Sequence, residues 1–310
     1  MERILDKRVV LVTGKGGVGR SSITAAFATV AARAKKRVLV TEIGEIGAED
    51  SPLARLFGYD RLPHEPTEIA PGIKGSLLLS HKGQELFLRS VLPVPALTRW
   101  ALSSEALQRL LSAAPSFREM GIFYHLLTLL KAEHPRGGPE HELILIDMPA
   151  TGHTLALTGL PQVLLGLVSR GPIATALREG QGYLNDPTRG AAWIVTLPEA
   201  LPVSETLELL AGLEKTAMPV GGIVLNRMPE DPFTEAEREA VKPLLEKHEL
   251  FGAMGFRRAD EARKALERLR NEIKVPLLTV PEHREEGRAL IASIADGLEA
   301  RKAVTPVAAK

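Results

Sequence analysis

The residues best suited to chemistry lie near the start of the chain, in the run GKGGVGRSS from Gly14 to Ser22. Gly14 and Gly19 stand at the two glycines of the phosphate-loop pattern G-x-x-x-x-G-K-[ST], with Gly16, Gly17 and Val18 between them. Glycines at this spacing let the backbone curl with its N–H groups turned inwards, which makes a cradle for phosphate oxygens. Ser21 supplies the hydroxyl that such a loop offers to Mg²⁺, and Ser22 follows it. Arg20 occupies the place of the lysine that reaches the β- and γ-phosphates. Arginine keeps the charge, but its planar fork is bulkier than a compact ammonium group. A glycine-rich turn that holds no ligand is the competing reading, and the spacing does not fit the dinucleotide pattern G-x-G-x-x-G.

Two more places along the chain carry polar groups at the ends of apolar runs. In ELILIDMPATGHTLAL, Asp147 follows the run Glu142 to Ile146. A carboxylate at the carboxyl end of a buried strand can hold Mg²⁺ directly or through water, so Ser21 and Asp147 form the candidate metal pair. Pro149, Thr151 and Gly152 then give a stiff and afterwards permissive loop, suited to sensing a γ-phosphate. His153 reads equally as a loop hydrogen-bonder or as a relay of loop movement, and no second histidine stands nearby at metal-ligand spacing, which argues against zinc. In PVGGIVLNRMP, Asn226 and Arg227 close an apolar run. The amide can pair with an adenine edge and the guanidinium can stack or pair beside it; a plain polar loop is the alternative.

These residues need a scaffold that brings strand ends together. The run RVVLVT, the glycine loop, the alanine-rich stretch SSITAAFATVAARAKK and the run RVLVTEI give strand, loop, helix, strand. That order places the loop at a helix N-terminus. Further strands are expected at AAWIVTL, in PVGGIVL and in KVPLLTV, with helices after them and a loop at Pro281 and Glu282. The fold class is therefore α/β, a phosphate-loop domain with a mostly parallel central sheet flanked by helices. Residues 83–131 are helical without a strand-like run and form a helical insertion; YDRLPHEPTEIAPGIKGS before it reads as a linker. The apolar group Leu86, Phe87, Leu88, Val91, Leu92, Leu97 and Trp100 fits either ordinary helix packing or a partly exposed groove. The expected organisation is residues 1–82 and 140–300 as the two parts of the sheet domain, 83–131 as the insertion and 301–310 as a loose tail.

Composition narrows the partners. The 310 residues carry 39 Lys plus Arg against 38 Asp plus Glu, so no overall field favours nucleic acid and no specific nucleic-acid partner is expected. There is no cysteine, which excludes disulfides, thiolate metal sites and cysteine nucleophiles. Charge interrupts every apolar run of MERILDKRVVLVTGKGG, so neither a signal peptide nor a spanning helix is expected, and a cytoplasmic protein is the default.

In their order along the chain, GKGGVGRSS, LILIDMPATGHTLAL, WIVTLPEALPVSETLELLAGL and GIVLNRMP resemble the arsenite-pump (ArsA) and tail-anchored-protein-targeting family of ATPases, a branch of the dimeric phosphate-loop proteins. The resemblance implies an ATP- and ADP-binding protein that uses Mg²⁺. It implies that Lys15 is the signature lysine reaching across a dimer to the partner's nucleotide. Arg20 then stands at the loop lysine, Ser21 at the Mg²⁺-binding hydroxyl, Asp147 at the switch II aspartate and Asn226 at the adenine-reading asparagine, with residues around Pro281 packing on the base. The partners implied are a second copy or a related ATPase, and a protein or membrane-protein client at the helical insertion. The family's switch I aspartate is missing: Gly44 is the better match by spacing, and Glu42 or Glu45 is the substitute. Two functions follow from this, a Mg²⁺-dependent ATPase in which Arg20 is tolerated, or a catalytically impaired subunit that binds nucleotide and regulates or scaffolds an intact homologue.

Overall fold

The structure, a computed structural model, describes residues 2–44, 51–91, 117–149, 151–167, 170–247 and 252–300. A short helix α1 (Glu2–Leu5) leads into β1 (Val9–Gly14), α2 (Arg20–Arg33) and β2 (Val38–Gly44). Then come α3 (Pro52–Leu56), β3 (Thr67–Ala70), β4 (Ile73–Leu79), α4 (Ser80–Val91) and α5 (Phe117–Lys131). The second half runs β5 (Leu143–Asp147), α6 (Thr151–Leu167), α7 (Pro172–Leu184), β6 (Gly190–Thr196) and α8 (Ala200–Lys215). It ends with β7 (Val220–Met228), α9 (Glu235–Lys247), α10 (Ala253–Glu272), β8 (Leu277–Pro281) and α11 (Gly287–Ala300).

The eight strands form one sheet in the order β3-β4-β2-β5-β1-β6-β7-β8. Every pairing is parallel except β3 with β4. The α/β class with a largely parallel sheet holds. The strands read as unbroken apolar runs because both faces are covered. Along β1, Val10 and Val12 enter the core under α2 and α11, while Val9 and Leu11 enter the core on the opposite face with α5, α6 and α8. Trp193 of β6 meets Phe27 of α2 edge to face at 5.5 Å. The glycine pair on β7 makes room for that indole, since a Cβ on Gly222 would come within 2.6 Å of its ring.

Two expectations need correction. The stretch read as a linker contains the β3–β4 hairpin, and β4 pairs along its whole length with β2. Its glycines and prolines masked the pattern, yet Gly75 is a packing device: a Cβ there would press to 2.8 Å on Ile69 and 2.9 Å on Leu62. The loop expected at Thr151 and Gly152 is already helix, because α6 starts at Thr151. Helix α7 was not anticipated at all.

Of the helical insertion, α4 and α5 are described. They cross closely, with room for no side chain between Gly83 and the Gly121 carbonyl. Phe87 is buried there, Leu86 and Leu88 are half-buried, and the side chains of Val91, Leu92, Leu97 and Trp100 lie outside the described residues, as does the tail 301–310. His125 of α5 pins this pair to the sheet: its Nδ1 accepts the Leu79 N–H at 3.1 Å. Burial pulls the imidazole down to about 4, so at neutral pH it is uncharged and free to accept.

Candidate nucleotide site

Three strand ends are brought level by the register of the sheet. Val12 and Glu42 both lie opposite Asp147, so β1, β2 and β5 finish side by side at their carboxyl ends. Open parallel sheets bind ligands at that edge. The glycine loop leaves β1 at Gly14 and ends where the 14-residue helix α2 begins. Gly14 has φ +150, and a Cβ there would meet the Val195 carbonyl oxygen at 2.2 Å. Gly19, the N-cap of α2, has φ +91, and a Cβ would meet Asn226 Nδ2 at 2.3 Å. Between them Gly16 and Gly17 border open space. The backbone therefore curls round a hollow at a helix N-terminus, which fits a bound phosphate.

Asp147 lies against this loop and is 8% exposed. One carboxylate oxygen, Oδ2, accepts from Ser21 Oγ at 2.5 Å. The other, Oδ1, is buried with no partner among the described residues. Burial raises the carboxyl to about 6, against the Ser21 hydrogen bond and the Arg20 charge, which both favour the ionised form. An orphaned carboxylate oxygen beside a hydroxyl is a pair of hard oxygen donors, and it suits Mg²⁺. Arg20 turns back on its own loop, where Nη1 donates to the Gly14 carbonyl at 2.8 Å. Burial holds its guanidinium below the ordinary value, partly offset by Asp147.

Arg20, Ser21, Glu42, Gly44, Arg61 and Asp147 line one cavity of about 180 Å³. Glu42 thus lines the same cavity as Ser21 and Asp147. Gly44 has little room for a carboxylate, since its Cβ would lie 3.0 Å from a Leu79 methyl and 3.2 Å from a Leu77 methyl. Glu45 and the side chains of Thr151, Gly152 and His153 lie outside the described residues.

A second cavity, of about 310 Å³, opens on the other side of the loop and is lined by Ser22, Asn226, Arg227, Pro281 and His283 among others. The β7–β8 pairing slips between Leu225 and Met228. Such a bulge frees residues from the ladder and re-aims them, and Arg227 sits there in the left-handed region with φ 56. Asn226 is 4% exposed and its Nδ2 donates to the Val18 carbonyl at 2.9 Å. One of its amide hydrogens thus helps to hold the loop.

Lys15 belongs to neither cavity lining. Its Nζ pairs at 3.1 Å with Glu205 Oε1 on α8, and both side chains are partly exposed. The structure therefore gathers Arg20, Ser21, Glu42 and Asp147 around one cavity and Ser22, Asn226, Arg227 and Pro281 around the other, with Gly14, Gly16, Gly17 and Gly19 in the loop beside them. Sequence reasoning missed Arg61, Glu205 and His283. Glu205 was within reach, as the middle residue of SET in the stretch that carries the family resemblance; Arg61 was hidden inside the supposed linker.

Comparison with known proteins agrees with this geometry. A family model described as anion-transporting ATPase, the ArsA family, matches residues 7–171. The chain is similar to ATPase BagA of Mycobacterium tuberculosis, with 29% identity over 252 residues that cover 76% of this chain and 72% of that protein. It is 26% identical over 229 residues to an arsenical pump-driving ATPase of Acidiphilium multivorum, covering 70% of this chain and 34% of that one. An Escherichia coli arsenical pump-driving ATPase is 27% identical over 237 residues, again with 70% of this chain covered and 34% of the relative. The alignments to the two arsenical pump-driving ATPases thus cover about a third of their length. With the family model covering over half of the sequence, from β1 and its glycine loop through Asp147, the chain belongs to the ArsA family of anion-transporting ATPases, within the superfamily of phosphate-loop ATPases that includes the tail-anchored-protein-targeting factors.

Proposed function

We propose that this protein binds Mg²⁺ with ATP or ADP at the carboxyl edge of its sheet, hydrolyses ATP to ADP and phosphate, and couples the nucleotide state to pairing with a second subunit. The observation that supports this most is the buried, half-satisfied Asp147 carboxylate, set against the Ser21 hydroxyl at the mouth of an open backbone cradle. Loop N–H groups and the α2 N-terminus hold phosphate oxygens by oriented dipoles. Ser21 and Asp147 would hold Mg²⁺, and the ion would supply charge neutralisation at the β- and γ-phosphates. Asp147 serves in its ionised form, which the Ser21 bond and Arg20 favour. Glu42, level with Asp147 on the neighbouring strand, is the carboxylate in place to orient a water molecule and take its proton as the water oxygen bonds to the terminal phosphorus and the bond to the ADP oxygen breaks. Asn226, Arg227 and Pro281 receive the base in the second cavity. Lys15 crosses to the nucleotide of the partner.

A second reading has its own support. Arg20 folds onto the Gly14 carbonyl, and Gly44 stands at the expected place of the switch I carboxylate. Both favour a subunit that binds nucleotide without turning it over and acts on an intact homologue. The ATPase reading places the protein in the cytoplasm, and no described helix is long and apolar enough to cross a membrane. A client would dock at the helical insertion, residues 83–131. These 310 residues hold no cysteine, so thiolate capture of arsenite has no place in either reading.

Phosphate release from Mg²⁺-ATP by the purified protein, alone and beside its Asp147→Asn variant, separates the two. Turnover that falls by about 10²-fold or more in the variant supports the ATPase, in line with loss of one electrostatic contact to a transition state. Binding without release supports the subunit reading. Unchanged release in the variant removes Asp147 from the mechanism.

A further inference from the structure

We infer that Arg61 is a further catalytic residue, a cation on this cavity that contacts the terminal phosphate of bound ATP. The inference rests on the nucleotide reading above. Arg61 lines the same cavity as Arg20, Ser21, Glu42 and Asp147, although it is some forty positions from the loop. Its backbone is anchored on both flanks. On one side, α3 is capped by Ser51 Oγ accepting the Ala54 N–H at 3.1 Å, and Arg288 Nε donates to the Phe57 carbonyl at 3.0 Å. On the other, Leu62 is 2% exposed in the core and the Pro63 carbonyl accepts the Leu77 N–H at 2.8 Å. A long, exposed side chain thus rises from a fixed base in the lining of the cavity.

The charges around it make the assignment specific. Arg20, the other guanidinium on this cavity, has one nitrogen engaged with the Gly14 carbonyl. Arg61 makes no hydrogen bond or ion pair among the described residues, even though the carboxylates of Glu42 and Asp147 line the same space. Five other arginines, Arg33, Arg37, Arg258, Arg263 and Arg268, each bond a carboxylate. A planar fork of five donors matches the oxygens of a phosphate group and retains its charge at any working pH. Arginines placed against a transferring phosphoryl group offset the charge that develops there, with effects on turnover of 10³–10⁵ in the strongest cases. Where the loop's own lysine has become Arg20, with its fork turned onto the Gly14 carbonyl, a second cation on the same cavity adds charge at the γ-phosphate side.

The test uses the full chain and its Arg61→Ala and Arg61→Lys variants, titrated in Mg²⁺ with ADP and with a non-hydrolysable ATP analogue, and assayed for phosphate release. For Arg61→Ala, ADP affinity should stay within about threefold, affinity for the analogue should fall about tenfold, and any release should fall about 10²-fold. Arg61→Lys should recover part of the analogue affinity, and the exposed position predicts unchanged melting temperatures. An unchanged preference for the analogue over ADP overturns the inference, as does an equal loss for both nucleotides, which would mark Arg61 as a general anion attractor. If the wild type binds neither nucleotide, the nucleotide reading falls and this inference with it; if it binds both and only the Arg61 contrast is absent, the inference alone falls.

Discussion

Asp147 is held under opposing demands. Its burial favours the protonated acid, yet the role assigned to it needs a carboxylate. Its folded value of about 6 lies above the ordinary 3.8, so between these values the native state binds more protons than the unfolded chain. The stabilisation of the neutral form is therefore fully present below about 3.8 and lost as pH rises through about 6, which leaves the ligand-free protein about 3 kcal/mol poorer at pH 8. Asp147→Asn keeps an acceptor for Ser21 and removes the charge. Thermal melts of the ligand-free proteins should show the variant more stable at pH 8, with the difference closing by pH 4; a difference independent of pH would contradict the burial argument. Ser21 and Asp147 were legible because a spacing pattern and an apolar run fix them. Arg61 was not, because nothing in the identities around it points at a phosphate, and only the packing of Leu62 under β4 turns it towards the site.

At the scale of elements, the strands on either side of β1 could be read as apolar runs, and α8 after β6 from its amphipathic composition, whereas α6 and α7 after β5 went unread. The β3–β4 hairpin escaped because its glycines serve close packing and its prolines and charges sit towards the sheet edge, where pattern weakens. The tie between the glycine loop and α8 was also invisible, since Lys15 and Glu205 are far apart in sequence. Their ion pair holds the loop lysine against its own chain. Exposed pairs contribute at most about 1 kcal/mol, so the lysine can leave it when a better anion is offered. If Lys15 crosses to a partner's nucleotide, Glu205→Gln should favour pairing at up to about fivefold lower protein concentration in Mg²⁺-ATP, while Lys15→Ala should abolish nucleotide-dependent pairing. Light scattering over a concentration series reads both, and nucleotide-dependent pairing that survives Lys15→Ala would remove the crossing lysine.

For the whole molecule, two cores cover opposite faces of one sheet, and polar side chains at the ends of β1, β2, β5 and β7 stand at its carboxyl edge. The glycine loop divides that edge, with the metal pair, Glu42 and Arg61 on one side and the bulge residues with Pro281 on the other. Near-neutral net charge, +1, leaves recognition to these local groups and not to a long-range field. The division predicts one nucleotide per chain, held through its phosphates by the loop and the metal pair. Equilibrium titration of the full chain with ATP, in the presence and absence of Mg²⁺, measures this directly. Saturable binding of one ATP per chain that Mg²⁺ tightens is the expected result; no saturable binding, or binding indifferent to Mg²⁺, would contradict it.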